Sequence, residues 1–281
     1  MISYGISIFQ TDYSMQPIAF AEAVEARDFD SIFFPEHTHI PVARKSPWPG
    51  GEVLPKHYSH SHDPFVALAA CAAVTRRVKL GFGVCLVTER DPIMTAKQIA
   101  LLDLISNGRV IFGAGAGWNR EEMENHGTDF TARWRILRER ILAMQTIWRE
   151  DEPSFHGEYV KFDPIWSFPK PTQPGGPPIW LGSNSKWVAD RVAEYGDGFM
   201  PIYGRKGATG IPEIRAACAK RGRNFAAITL ALFAPPPKED LIRESIAEGY
   251  THFVFLVPPE SDSVVLSKLD KLAELVQRLR R

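Results

Sequence analysis

The sequence lacks an excess of charge of either sign: thirty-three lysines and arginines stand against thirty-three aspartates and glutamates. No net positive field gathers nucleic acid or an anionic lipid surface, and neither is expected as a partner. Long hydrophobic runs are also missing. No stretch of eighteen apolar residues occurs, and the opening Met1-Ile2-Ser3-Tyr4-Gly5 has no basic segment ahead of an apolar one, so no membrane span or export signal is expected and a cytoplasmic protein is. Cysteine is scarce. Cys71, Cys85 and Cys218 are odd in number, far apart and set in apolar patterns, which argues for small buried hydrophobes over a disulfide framework or a nucleophile. Internal repeats and low-complexity tracts are absent too.

What the chain has is a long alternation of two periodicities. They predict strands at about residues 2–9, 30–34, 78–87, 109–114, 178–182, 197–201, 227–233 and 252–257. Helices are predicted at about residues 16–28, 63–75, 92–106, 132–150, 185–195, 209–221, 238–247 and 262–280. Asp63-Pro64 and Asp91-Pro92 each set a capping carboxylate before a first-turn proline and mark two of the helix starts. Stretches such as Thr251-His252-Phe253-Val254-Phe255-Leu256-Val257 are too continuously apolar for a sheet wet on one face, so both faces should be covered. Eight βα units paired in parallel through right-handed crossovers close a barrel, and 281 residues with 44% hydrophobic side chains suffice for one large core. The expected fold is an α/β, (β/α)8 TIM barrel forming a single domain over residues 1–281, with an open doubly wound sheet as the alternative.

Two connections exceed the usual two to six residues. Residues 35–62, after the second strand, carry five prolines and Trp48, a composition that orders without regular structure and suits an active-site wall. Residues 151–177, after the fourth long helix, include an alternating segment from Phe155 to Phe162 that reads as a short hairpin.

In such a barrel, chemistry is expected at the C-terminal ends of the strands. The second strand ends in Glu36-His37, the third in Gly83-Val84, the fourth in Gly113-Ala114-Gly115-Ala116-Gly117-Trp118 and the fifth in Gly182-Ser183-Asn184-Ser185. The alternating glycines clear side chains where a planar ligand could lie against the backbone. Their spacing, their place on the fourth strand and the want of an acidic ribose partner do not fit a dinucleotide fingerprint. Gly182-Ser183-Asn184-Ser185 offers backbone N–H groups, two hydroxyls and a helix start, which suits a phosphate, although helix capping explains the serines equally. His37-Thr38-His39 resembles half of a metal site, but further ligands at the other strand ends are wanting, and His57, His60 and His62 sit in a loop; no metal is expected. The arginine-rich run from Arg133 to Arg140 has Ile136, Ile141 and Leu142 beneath it and reads as a solvated helix face.

Taken in order, Asp30-Ser31-Ile32-Phe33-Phe34-Pro35-Glu36-His37, the block from Val78 to Pro92, Arg109 to Trp118, Phe155-His156-Gly157, Pro177 to Gly182 and Tyr195 to Phe199 resemble the luciferase-like monooxygenase superfamily, and within it the coenzyme F420-dependent oxidoreductases. The resemblance spans nearly the whole chain. It implies a barrel whose cofactor ring rests on a bulge in the third strand, at a non-proline cis peptide that falls by position at Gly83-Val84. It places Glu36 and His37 beside the ring, brings Ala116 and Gly117 to it from the fourth strand, and sets Ser183, Asn184 and Ser185 at the phosphate. In sugar-phosphate dehydrogenases of the family a proton-donating glutamate stands where this chain has Trp118, an indole that only donates. His37 is then the candidate acid–base group, with Glu121 and Glu122 as substitutes whose simpler reading is exposed helix-start carboxylates. The resemblance implies hydride transfer between coenzyme F420 and a small organic substrate in a homodimer. Flavin mononucleotide (FMN) in a monooxygenase and a non-catalytic flavin-binding barrel are the alternatives.

Overall fold

Asp63 and Asp91 do what their proline neighbours imply. Their side chains accept the Val66 N–H at 3.0 Å and the Met94 N–H at 2.8 Å, starting two helices. From such punctuation the chain, described by a computed structural model for every residue except Lys206 and Ala208, builds an alternating fold. The strands are β1 Ser3–Ser7, β2 Ser31–Phe34, β3 Lys79–Phe82, β4 Cys85–Leu86, β5 Val110–Gly115, β6 Phe155–His156, β7 Lys161–Phe162, β8 Ile179–Leu181, β9 Gly198–Phe199, β10 Thr229–Phe233 and β11 His252–Leu256. The helices are α1 Pro17–Ala26, α2 Pro64–Val74, α3 Pro92–Ser106, α4 Arg120–Asn125, α5 Arg133–Arg149, α6 Val188–Tyr195, α7 Ile211–Lys220, α8 Glu239–Glu248 and α9 Asp262–Leu279.

All strands but β6 and β7 pair in parallel, in the order β3-β2-β1-β11-β10-β9-β8-β5-β4, and a β3–β5 pairing closes the ring. This is the TIM barrel expected from the alternation, not the open sheet. The strand expected over 78–87 is divided: β3 stops at Phe82, β4 resumes at Cys85, and the Gly83-Val84 bond between them is cis. The excursion after α5 contains the antiparallel pair β6–β7, Phe155 opposite Phe162. One helix is additional. Short α4 lies between β5 and the long α5, outside the predicted helix ranges.

Two apolar layers account for strands that are buried on both sides. Between strands and helices lies the main core, to which α3 gives Ile99, α5 Ile141 and α9 Leu269, all wholly buried. Inside the barrel Phe33, Ile111, Trp180, Met200, Ala231 and Val254 form a plug. A Cβ at Gly81 would run into the Phe33 ring and one at Gly198 into the Trp180 ring, so those strand glycines make room for the plug's two largest members. Buried His252 meets Ser31 Oγ at 2.8 Å; burial, helped by Lys79, pushes its imidazole down to about 3, so it is neutral. All three cysteines are buried and free. On α5, Ile136 and Ile141 are buried while Arg135 and Arg138 pair outward with Glu158 and Glu194. Among the described residues no helix is long and apolar enough to cross a membrane.

Candidate active site

The plug fills the barrel up to its C-terminal rim, where the loops leave a cavity of about 770 Å³. All eleven residues singled out in the sequence line it: Glu36 and His37 after β2, Gly83 and Val84 between β3 and β4, Ala116 to Trp118 after β5, and Gly182 to Ser185 after β8. The 35–62 connection forms one wall with Trp48, Pro55, His57 and Tyr58. It is tied down by the His62 N–H donating to Gln10 O at 2.8 Å and by Glu121 accepting the Lys45 N–H at 2.8 Å.

His37 is 7% exposed and has a partner on each nitrogen. Nδ1 lies 2.7 Å from Glu122 Oε2, and Nε2 lies 3.3 Å from the indole Nε1 of Trp118. Because an indole N–H only donates, Nε2 is an acceptor and the ring hydrogen sits on Nδ1, toward the carboxylate. An imidazole so held can take a proton at Nε2, and the charge that forms is stabilised by Glu122. Glu122 is the main correction to the sequence reading. Its side chain is 0% exposed, not a surface helix-start carboxylate, and its other oxygen accepts the Thr38 N–H at 3.0 Å. The Asn119-x-x-Glu122 spacing resembles a capping box, in which the acid would turn back to the helix start; here Asn119 caps α4 while Glu122 reaches His37. Glu121 is the residue that serves the loop.

Glu36 lines the cavity with its carboxylate already committed. One oxygen accepts the Leu86 N–H at 2.6 Å, and the other is held by Arg90 through Nε at 2.6 Å and through Nη2. Arg90 also grips Asp63 at 2.8 Å. The pair therefore straps β2 to β4 and to the start of α2. Nothing in the sequence signalled Arg90 as its partner.

Gly115, one of the alternating glycines, and Gly182 both make room for Val84. A Cβ at Gly115 would stand 2.5 Å from Val84 Cγ2, and a Cβ at Gly182 would stand 2.5 Å from Val84 Cγ1. Both glycines thus admit the Val84 side chain and only through it shape the cavity floor. Gly117 has φ +72°, which a side chain rarely tolerates, and turns the chain from β5 toward Trp118.

At the opposite end, α6 begins at Val188, so Ser183 to Ser185 lie in irregular chain ahead of it and do not open the helix. Ser185 N donates to Ser183 Oγ at 3.1 Å, and Arg191 Nη1 donates to Ser185 Oγ at 3.2 Å. Arg191 stacks 3.8 Å over Trp134, itself a lining residue. The Asn184 amide is spent on the backbone, donating to Ile202 O at 3.2 Å and accepting the Ile202 N–H at 3.1 Å. Arg205 completes the polar end of the wall. Sequence reasoning missed Arg191, Trp134 and Arg205, whose separation along the chain gave no pattern. Tyr58 bridges the aromatic side, 5.1 Å from His37 and 5.7 Å from Trp48 by ring centroids. The His57 ring lies 4.3 Å from that of Phe9, tilted by 41°, and burial, then the nearness of His37, lowers its affinity for a proton.

Comparison with known proteins gives four findings. The family model described as luciferase-like monooxygenase matches residues 14–261. An uncharacterised protein of Mycobacterium tuberculosis is 34% identical over 96% of this chain and 97% of its own length. An F420-dependent glucose-6-phosphate dehydrogenase of Gordonia bronchialis is 30% identical over 75% of this chain and 61% of its own. Among solved structures, an F420-dependent secondary alcohol dehydrogenase in complex with an F420–acetone adduct superposes with a TM-score of 0.79 at 17% identity, covering 100% of this chain and 99% of that one, a likeness of fold.

Proposed function

The chain belongs to the luciferase-like monooxygenase family, and from that membership we propose that it is an oxidoreductase moving a hydride between coenzyme F420 and a small organic substrate. The observation that carries the proposal is the His37–Glu122 dyad, facing a cavity that has an aromatic side and a hydroxyl- and arginine-lined end.

The residues present fit a flat, phosphate-tailed cofactor. Val84, received between Gly115 and Gly182, gives an apolar floor, and Ser183, Ser185 and Arg205 would hold a phosphate, with Arg191 fixing the Ser185 hydroxyl. When bound, the deazaflavin ring supplies the hydride chemistry. The protein's part is position, exclusion of water and proton handling. In the oxidising direction Nε2 of His37 accepts the substrate's hydroxyl proton as Glu122 steadies the imidazolium; in the reducing direction the same nitrogen returns it. Trp118 does not exchange a proton. Its indole N–H caps Nε2 until a substrate group takes its place, so a role filled by a glutamate in sugar-phosphate dehydrogenases passes here to His37.

A second reading keeps the site and changes the cofactor. FMN shares a phosphate and a tricyclic ring, so the same residues serve it, and the family description names a monooxygenase. Titration of the purified protein with each cofactor, followed by ring absorbance and fluorescence, separates the two. The proposal requires binding of F420 and its oxidation or reduction with some member of a panel of alcohols and ketones, lost in His37→Ala; tight FMN binding with no change in F420 overturns it.

The reading includes a homodimer. Met94, Leu101, Leu104 and Ile105 are 58%, 44%, 48% and 52% exposed and fall in one stripe along α3, whose other faces are buried. A stripe of exposed apolar side chains, here interrupted by Lys97, is ordinarily covered. A second copy of the chain, presenting the same stripe, would cover it.

A further inference from the structure

Charge is sparse on the walls of the cavity. The described lining residues with ionisable side chains are Glu36, His37, His57, Tyr58 and Arg205. Glu36 is neutralised by Arg90, and the burial that lowers the proton affinity of His57 leaves its ring neutral at pH 7. Arg205 is therefore the one permanent cation among the described lining residues, and its backbone is tied to the serine segment, where its carbonyl oxygen accepts from the Asn184 amide at 3.3 Å. Arg44 stands 5.4 Å over the Trp118 ring without lining the cavity. A cofactor phosphate takes up Arg205. A substrate that brought a second phosphate, or a carboxylate, would bury its charge without a partner, which is costly.

Beside His37 the wall is aromatic, and Tyr58 is its hub. Its ring centroid lies 4.9 Å from Phe9, 5.0 Å from His57, 5.1 Å from His37, 5.7 Å from Trp48 and 6.2 Å from Trp118. Local chemistry holds it in place. Pro55 opens a 3₁₀ turn over Lys56–Tyr58, in which the Tyr58 N–H donates to Pro55 O at 3.2 Å. Just downstream, Ser61 bridges to Thr11 and the His62 N–H donates to Gln10 O, so the turn is pinned to the chain that follows β1. After β11, Leu256, Val257, Pro258 and Pro259 add lining without a polar side chain. Aromatic faces and edges at such spacings attract a further ring through offset or edge-on contact, beyond the gain from buried area.

We propose that Tyr58 selects the substrate, an uncharged ketone or secondary alcohol bearing an aromatic ring, with that ring against the Tyr58 cluster and the reacting carbon beside His37, and that phosphorylated and carboxylated substrates are refused. This selection rests on the F420 reading of the site and narrows its small organic substrate to one chemical class. In the reducing direction the carbonyl carbon receives a hydride from reduced F420, which is thereby oxidised. The carbonyl π pair moves onto oxygen, which takes the proton held at Nε2 of His37, and the alcohol leaves. The oxidising direction is the reverse.

Matched substrate pairs, turned over with F420, test the selection. Benzylacetone should have a KM about 2- to 12-fold below that of a straight-chain methyl ketone matched to it in oil–water partition, the margin of a ring contact beyond its buried area. Benzylacetone carrying a para-carboxylate should fall about a hundredfold or more in kcat/KM below its methyl ester. Glucose-6-phosphate should not be oxidised. Tyr58→Leu should largely erase the preference for the ring and Tyr58→Phe should keep it, while F420 affinity, from fluorescence titration, should move less than the benzylacetone KM in both. Circular dichroism checks the fold of each variant, and the wild-type pairs stand without them. A wild type that uses the straight-chain ketone, the carboxylate or glucose-6-phosphate as readily as the uncharged ring ketone overturns the selection. So does a Tyr58→Leu enzyme that keeps the preference, or one whose loss falls on F420 affinity, and each of these leaves the oxidoreductase reading standing. A wild type that binds no F420, or is inert with the whole panel, overturns that reading first, and the selection with it.

Discussion

Replacing Gly115 with alanine isolates the contact on which the cavity floor depends. The new Cβ would stand 2.5 Å from Val84 Cγ2, against about 3.5–4.0 Å for carbon atoms at rest, so valine or strand must yield by about 1 Å. Val84 has little freedom, because its other methyl occupies the position a Cβ would take at Gly182. Overpacking of this kind costs about 1–3 kcal/mol. If the cofactor ring rests on Val84, the strain falls on the bound state, and at 1.4 kcal/mol per tenfold the affinity for F420 should drop about 5- to 150-fold. Fluorescence titration measures the affinity, and circular dichroism with a thermal melt checks that the barrel survives. In a Val84→Ala background the same substitution meets no methyl, and its effect should largely vanish, which a double-mutant cycle reads as coupling of about 1 kcal/mol or more. Unchanged affinity in Gly115→Ala with the fold intact, or equal losses in both backgrounds, would refute a ring seated on Val84.

Three further outcomes follow from particular contacts. Arg90→Met leaves Glu36 buried without its cation and should cost about 3–5 kcal/mol in denaturant unfolding; a loss below about 1 kcal/mol would mean that the strap is not stabilising. Burial holds His252 at about 3, below its unfolded value of about 6.5, so the unfolded chain binds the extra proton between them. That contribution is complete above about pH 6.5 and declines toward pH 3 by up to roughly 1.4 kcal/mol per unit, and His252→Asn should flatten the slope of urea midpoint against pH. Leu101→Glu in the exposed stripe of α3 should convert a dimer to monomer in sedimentation velocity, whereas a wild type that is already monomeric removes the homodimer.

Much of the fold was legible because each level of the sequence agreed with the next. Continuous apolar strands required covering on both faces, and the structure meets that with a plug inside the barrel and helices outside. Asp63 and Asp91 fixed helix starts to the residue because capping is local chemistry. The places where sequence reasoning slipped depend on contacts distant along the chain. Glu122 reads as a surface acid from its neighbours and becomes the buried partner of His37, eighty-five positions away. Gly115 reads as clearance for a ligand, while its immediate occupant is Val84. The serines after β8 read as a helix start, but two residues, Lys186 and Trp187, separate them from α6, and the segment is anchored through Asn184 to Ile202, well downstream.

A crystal structure of the protein with F420 bound tests the central claim most directly. The account predicts the tricyclic ring against Val84 with its reactive edge toward His37, and the phosphate within hydrogen-bond reach of the Ser183 and Ser185 hydroxyls. A rim closed by side chains, a metal ion seated beside His37, or a cofactor lying elsewhere on the molecule would contradict it.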